Sequence, residues 1–107
     1  MEQAIAFEEG LKRVVNNKKI FQTLLKKFSG RQIVEQITEH IANNDNDSAI
    51  KSCHALKGVA ANLAMNPLAE TLSNLEEQLK DGDSSLLTEL NERLTAVEQA
   101  IAEFLET

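Results

Sequence analysis

Apolar residues recur every three to four positions along most of the chain, and no alternation of apolar and polar residues lasts beyond a few positions. A period near 3.6 residues is typical of amphipathic helices, whereas strands have a period of two. The pattern therefore predicts an all-α protein. Short polar or glycine-containing segments interrupt it and indicate where one helix ends and the next begins.

Two helices are predicted in the first part of the chain. The first covers residues 3–14, with Gly10 as a point at which it could break. The second begins near Asn17 and continues to about Ile41. Its apolar positions before and after Gly30 lie on different sides of one helix, counted at about 100° per residue. This helix therefore either kinks at Gly30 or packs its two halves against different neighbours.

A polar turn over residues 43–47 separates the second predicted helix from the third. Asp45 or Asp47 can act as the N-cap, because a short acidic side chain accepts hydrogen bonds from the free N–H groups of a helix N-terminus. Its charge also suits the helix dipole there. The third helix then continues to about Ala64.

Two further helices complete the predicted fold. Asn66 as N-cap and Pro67 in the first turn predict a fourth helix that continues to about Lys80. The turn at 81–84 separates it from a last helix, whose apolar stripe runs from Leu86 nearly to the C-terminus. Short connections predict an antiparallel, up-down-up-down four-helix bundle with a short additional N-terminal helix.

Length and composition narrow the class of protein further. A chain of 107 residues is expected to form one domain over residues 1–107 with a single core. The sequence contains no apolar stretch long enough to span a membrane and no basic-then-apolar signal sequence at its start. We therefore expect a cytoplasmic protein with no membrane insertion by this chain.

The net charge of −6 is unevenly distributed. Residues 1–31 contain seven Lys and Arg against three Asp and Glu, whereas residues 32–107 contain four against fourteen. An acidic chain without a continuous basic stripe or interleaved aromatic residues argues against nucleic acid as a partner. The cations near the N-terminus form either a solvated face beside acidic helices or a docking patch. They are Lys12, Arg13, Lys18, Lys19, Lys26 and Lys27.

The metal-ligating residue types are sparse. Cys53 is the single cysteine, which excludes an internal disulfide and a cysteine-based zinc site. Its helical phase matches the apolar positions of the third helix, so we interpret it as a small core residue. His40 and His54 are too far apart in sequence to form a ligand motif, and no metal site is predicted.

His54 is the candidate functional residue. The apolar face of the third helix is centred roughly 130° from it by rotation, so His54 is expected to point away from the core. Side chains on a helix lean toward its N-terminus, so the residue at i+4 covers residue i. Gly58 occupies that position and leaves the ring uncovered. Lys57, at i+3, places a positive charge beside the ring.

Small, apolar and cationic residues surround His54 on the same face of the predicted helix. This mixture is typical of a surface that a partner protein can contact, with ordinary surface or core-edge packing as the alternative. The candidates for partner contact are Ile50, Lys51, Ala61, Asn62 and Met65.

The sequence His-Ala-Leu-Lys-Gly at 54–58, followed by Ala-Ala-Asn-Leu at 60–63, resembles the signature of histidine-containing phosphotransfer (HPt) domains. The segments 7–11 and 20–28 are similar to the first helical segments of that family. The segment 72–79, which contains Glu76, is similar to the helix of that family that faces the histidine. The family commonly has glycine after the Asn-Leu pair, where this chain has Ala64.

The resemblance implies that His54 accepts a phosphoryl group from the aspartate of a response-regulator receiver domain and passes it to another receiver. It implies Nε2 as the reacting nitrogen, with the other ring nitrogen held by a hydrogen bond or water. A neutral imidazole is a competent nucleophile without a separate base. Phosphoryl transfer needs mainly positioning and charge neutralisation, so Lys57 can stabilise the phosphoryl charge and Gly58 can give access.

No Gly-rich phosphate loop, Walker-type lysine or kinase-like set of metal-holding residues occurs in the sequence. We therefore expect a phosphoryl carrier that is not an enzyme, has no cofactor of its own, and meets Mg²⁺ on the partner receiver domain. The implied partners are receiver domains and a hybrid sensor histidine kinase. The contact is expected to be small and transient, and the chain a monomer.

Two other hypotheses remain open. The chain could be a helical adaptor that binds a receiver or a sensor kinase without using His54 as a phosphoryl acceptor. It could instead be a structural or dimerising domain, whose seam would contain Leu87, Leu94 and Ile101 of the acidic last helix.

Overall fold

The computed structural model describes residues 3–106, which form six α-helices and no strand. This confirms the prediction of an all-α protein. The helices, in chain order, are α1 (Phe7–Arg13), α2 (Lys18–Lys26), α3 (Gly30–Ala42), α4 (Asn46–Asn62), α5 (Asn66–Lys80) and α6 (Leu87–Glu106).

The four longer helices pack around one core. Helix α4 lies against both α3 and α5, and α6 contacts α5, α3 and α2, while α1 packs against α2. Every helix contributes apolar side chains to this core, or packs such side chains against it. No helix within residues 3–106 has the length and apolar character needed to cross a membrane.

The predicted second helix is divided into α2 and α3, so two helices precede α4 where the sequence pattern indicated one with a kink. Gly30 begins α3, and a Cβ atom on it would collide with the ring of Phe28. Because Gly30 has no side chain, the ring of Phe28 can pack over the start of α3. The two halves also have different neighbours, because α2 contacts α1 and α6, whereas α3 contacts α4 and α6.

Helix α1 begins at Phe7, four residues later than predicted, and it continues through Gly10 without a break. Gly10 is buried because the ring of Phe21 packs on its backbone. A Cβ atom built there would lie 2.6 Å from Phe21 Cζ. The rings of Phe7 and Phe104 stack with their centroids 4.6 Å apart. Each of them also makes a T-shaped contact with the ring of Phe21.

The predicted end of the third helix at Ala64 lies two residues too far, since α4 ends at Asn62. Ala64 adopts a left-handed conformation with a φ of 58°. The N–H of Met65 then donates to the carbonyl oxygen of Ala60 at 2.8 Å, which closes the helix end in the way a glycine usually does. Glycine adopts this backbone conformation more readily than alanine, because it has no Cβ atom.

The prediction of Asn66 as an N-cap is wrong, because Met65 is the N-cap of α5 and Asn66 is its first residue. The side-chain amide of Asn66 instead donates to Glu9 at 3.3 Å and so ties α1 to the start of α5. Pro67 lies in the first turn as predicted.

Candidate functional site

The local sequence explains why α4 presents one face to the core and the other to solvent. Asp45 caps the helix, accepting a hydrogen bond from the N–H of Ser48 at 3.2 Å, and this confirms one of the two predicted caps. Hydrogen bonding by the Ser48 side chain, and then by its N–H, lowers the pKa of the Asp45 carboxyl. The buried residues of α4 are Ala49, Cys53, Leu56 and Ala60, which confirms the interpretation of Cys53 as a small core residue.

His54 lies in the middle of α4 on the side away from that core. Its side chain is 70% exposed, which confirms the predicted outward orientation. Gly58, one turn further along, is exposed, and a Cβ atom built on it would meet nothing within 4 Å. Glycine is therefore not required for packing at this position, and its effect is to keep the surface beside the ring low.

Glu76 of α5 is the carboxylate nearest to the imidazole. Its Oε1 lies 3.3 Å from Nδ1 of His54, and its Oε2 lies 3.3 Å from Nζ of Lys57. The Glu76 side chain is only 15% exposed, so it lies beneath the ring rather than in front of it. Helix α5 therefore places a carboxylate beside the inner ring nitrogen.

Lys57 is not a free cation, because it forms an ion pair within the chain. Its ammonium group donates a hydrogen bond to Glu76, and its side chain is half-buried against α5. The lysine is thus on the same side of α4 as the imidazole, as its i+3 position requires, and it is paired with the Glu76 carboxylate.

The five predicted partner-contact residues have different surroundings. Lys51, Ala61 and Asn62 are exposed, and Ile50 is partly buried at the edge of the core. Met65 is fully buried, so its predicted place on this surface is wrong. The helical rotation that placed it beside His54 does not apply, because the chain leaves α4 at Asn62 and Met65 turns into the core.

An apolar groove beside α4 was not predicted. It runs between α4 and the junction of α2 with α3, has a volume of about 440 Å³, and we refer to it as the α2–α4 groove. Leu24 and Val59 stand partly in solvent at its walls, with 40% and 42% of their surface exposed. The lining residues are Leu24, Lys27, Phe28, Ser29, Ile33, Leu56, Val59, Asn62 and Leu63.

The groove adjoins the His54 surface through Asn62, which belongs to both. By helical rotation, Gly58 and Asn62 lie between His54 and Val59 on α4. The sequence contained a hint, since Leu24 and Val59 are apolar at positions turned away from the deepest part of the core. An apolar residue alone, however, does not distinguish a groove wall from a core position.

Neither Cys53 nor a metal cluster adds chemistry to this site. Cys53 is fully buried, and burial, with a smaller contribution from Glu76, raises the pKa of its thiol to about 12. Within the part of the chain that the structure describes, no group of three or more His, Cys, Asp or Glu side chains is placed to hold a metal ion.

These features define a class of protein: a helical bundle that presents one exposed imidazole from the middle of a helix, with a carboxylate behind it. A family model, the Hpt domain, matches residues 27–102, which is more than half of the chain. The chain therefore belongs to the Hpt domain family, whose members are phosphoryl carriers in phosphorelays and interact with receiver domains and kinases.

The match begins at Lys27, so the similarity of residues 7–11 and 20–28 to the family's first helices stays a prediction. Neither the curated proteins nor the solved structures contain a significant match to the chain.

Proposed function

We propose that His54 accepts a phosphoryl group from the phosphorylated aspartate of a receiver domain and relays it to the aspartate of another. The position of His54 supports this most directly, because the ring is exposed while its Nδ1 lies 3.3 Å from Oε1 of Glu76. A carboxylate at that distance favours the tautomer in which Nδ1 keeps its proton. Nε2 then retains the lone pair that attacks phosphorus.

The transfer step needs no separate base. The Nε2 lone pair forms a bond to phosphorus, the bond from phosphorus to the aspartate oxygen breaks, and its electron pair returns to the receiver's carboxylate. The ring keeps its Nδ1 proton and becomes cationic, and Glu76 stabilises that charge. Onward transfer reverses these changes, since the P–N bond breaks and its electron pair returns to Nε2.

Lys57 serves in this proposal to neutralise charge on the phosphoryl group. An ammonium group has three donors on a flexible stem. Lys57 can therefore keep its 3.3 Å contact with Glu76 while it donates a second hydrogen bond to a phosphoryl oxygen. The Mg²⁺ ion that such transfers use would be bound by the receiver domain, and this chain would need no cofactor.

The surface proposed to contact the receiver extends from His54 over Gly58 and Asn62 to the α2–α4 groove. A partner helix that entered the groove would cover Leu24 and Val59, which are otherwise partly exposed. Its neighbouring loops would lie over His54, where Gly58 leaves room for them. Ile50, Lys51 and Ala61 would lie at or near the margin of this contact.

The proposal also covers the topology of the bundle, the location and oligomeric state of the protein, and its partners. Helices α3 to α6 would form an antiparallel four-helix bundle, and the chain would act in the cytoplasm as a monomer. Its partners would be receiver domains and a hybrid sensor histidine kinase. The sequence contains none of the motifs with which proteins bind ATP phosphates, so we propose a carrier rather than an enzyme.

The test is transfer from a phosphorylated receiver domain to this chain, followed by analysis of the label. We expect label on the chain that is labile in acid and stable in base. His54→Gln should abolish it with unchanged helical circular dichroism. His40→Gln is the matched control, because His40 lies in the last turn of α3, where its Nδ1 is 4.0 Å from Oδ2 of Asp45. This variant should take label normally.

Absence of label on the wild-type chain, or equal label on His54→Gln, would overturn the proposal. A chain that binds the receiver but takes no label would be the non-phosphorylated adaptor, which is the alternative function.

A further inference from the structure

The cations of this protein differ in whether they have a partner within the chain. Six form ion pairs with Asp or Glu: Lys12, Arg13, Arg31, Lys57, Lys80 and Arg93. Lys18 lies over the ring of Phe104, 5.5 Å from its centre. The side chains with no ion pair or hydrogen bond inside residues 3–106 are Lys19, Lys26, Lys27 and Lys51.

These four lysines have no ion pair although the chain contains 17 Asp and Glu against 11 Lys and Arg. Three of the four lie on α2 or at its end, and only Lys27 among the four lines the α2–α4 groove. Lys27 shares its side of α2 with the exposed Ile20 and Leu24, by helical rotation. The groove therefore combines an apolar floor with a free positive charge at its rim.

We propose that Lys27 is a specificity-determining residue of the docking surface. It selects receiver domains whose groove-bound helix carries an Asp or Glu beside its apolar face. This inference rests on the proposed function, and it names the partner chemistry that the same site prefers. Rim charges of this kind act on the rate of encounter and on the rejection of wrong partners more than on the chemistry.

The charge distribution of the chain supports this choice of partner. With a net charge of −6, the protein as a whole repels an acidic protein at long range. A local positive site beside the groove offsets that repulsion only for a partner that places its acidic residue there. A receiver with Lys or Arg at the same place would meet an unfavourable like charge.

A helix C-terminus also favours cations, which is a purely structural explanation for lysine here. Lys27 is the C-cap of α2. Lys26, its neighbour, has the same advantage, is exposed, and has no ion pair within the described residues. Its side chain, however, lines a different cavity together with Arg31 and Glu98. Lys26→Glu is therefore a control with the same charge change at the same helix end.

The experiment compares Lys27→Glu, Lys27→Gln and Lys26→Glu in transfer from a phosphorylated receiver that labels the wild-type chain. We expect Lys27→Glu to lower kcat/KM about fivefold, the size of an exposed charge interaction reversed in sign. The logarithm of kcat/KM should fall about half as far for Lys27→Gln as for Lys27→Glu. The single-turnover rate at saturating receiver should not change, and Lys26→Glu should stay near the wild-type value.

Three further measurements make the result decisive. Salt between about 50 and 300 mM should reduce the difference in kcat/KM between the wild type and Lys27→Glu, because it screens the attraction in the first and the repulsion in the second. Reversal of one acidic residue of the receiver to lysine should restore transfer to Lys27→Glu and impair transfer to the wild type. Circular dichroism melts of the three variants exclude a folding defect as the cause.

The inference is overturned if Lys27→Glu and Lys26→Glu have equal effects, if the loss lies in the saturating rate, or if no charge reversal in the receiver restores transfer. These outcomes differ from failure of the proposed function, in which the wild-type chain itself takes no label on His54.

Discussion

Glu76 on α5 lies beneath His54 on α4, with Oε1 3.3 Å from Nδ1 of the ring. The carboxylate is on the protein side of the imidazole and is 15% exposed, whereas the ring itself is 70% exposed. Water therefore screens the carboxylate less than it would screen a surface glutamate. The same carboxylate contacts Lys57, so one residue of α5 contacts both His54 and Lys57 of α4.

Replacement of Glu76 by glutamine should slow phosphoryl transfer to His54 about tenfold without abolishing it. The amide oxygen can still accept a hydrogen bond from Nδ1–H, but the negative charge that stabilises the cationic ring is lost. A hydrogen bond to a charged group contributes about 1.5–3 kcal/mol, and about 1.4 kcal/mol corresponds to a tenfold change in rate. Single-turnover transfer from a phosphorylated receiver measures the effect.

Glu77→Gln is the control for this substitution. Glu77 is the next residue on α5, and it pairs with Lys80 at 2.9 Å on the exposed side of the helix. Removal of its charge should leave the transfer rate near the wild-type value. Equal rates for the wild type and Glu76→Gln would show that the carboxylate has no part in the step.

Gly58→Ala should stabilise the protein while it slows transfer. A Cβ atom at this position meets nothing within 4 Å, and alanine is better than glycine inside a helix by about 1 kcal/mol. The added methyl group, however, occupies space beside His54 that the receiver approaches. Urea unfolding measures the first effect and the transfer rate the second. Normal transfer by Gly58→Leu, a larger obstacle, would contradict the role of this glycine in access.

The same substitution at Gly10 should have the opposite effect on stability. The new Cβ atom would lie 2.6 Å from the Phe21 ring, and that ring cannot move aside because it is 1% exposed and packed against Phe7 and Phe104. Overpacking of this kind costs about 1–3 kcal/mol, which exceeds the gain in helix propensity. Urea unfolding of Gly10→Ala and Gly58→Ala side by side tests both signs.

The helical period was sufficient to predict most of this fold, because each helix buries one continuous apolar stripe. It placed His54 opposite the buried face of α4. The N-cap preference for acidic side chains named Asp45 and Asp47 as candidates, and Asp45 is the cap. Both are local properties. They depend on residues within one or two turns of each other, which the order of residues displays directly.

The features that could not be predicted from the sequence depend on contacts between different helices or turns, or on a backbone conformation that is rare for the residue type. The ring of Phe28 packs against Gly30 where α3 begins, and helical periodicity does not predict this contact. Ala64 adopts a positive φ that alanine seldom takes, so the burial of Met65 could not be foreseen. The α2–α4 groove joins residues of three helices, and no periodicity within one helix predicts such a junction.

Cys53 should be inert to alkylation in the folded protein although it precedes His54 in the sequence. The thiolate is the reactive form of cysteine, and burial raises the pKa of this thiol to about 12. Iodoacetamide at pH 8 should therefore leave the native chain unmodified and should modify it in denaturant. Mass spectrometry of the two samples measures the difference. Rapid modification of the native chain would contradict the burial of Cys53.

The same raised pKa predicts how stability depends on pH. The unfolded thiol ionises near pH 9.0, whereas the folded thiol keeps its proton to about 12. The unfolded state therefore binds fewer protons between these values, so this contribution to stability is complete below pH 9.0 and is lost as the pH rises toward 12. Cys53→Ala removes the titrating group. Its free energy of unfolding should fall less steeply than that of the wild type over this range, and parallel curves in urea titrations would contradict the prediction.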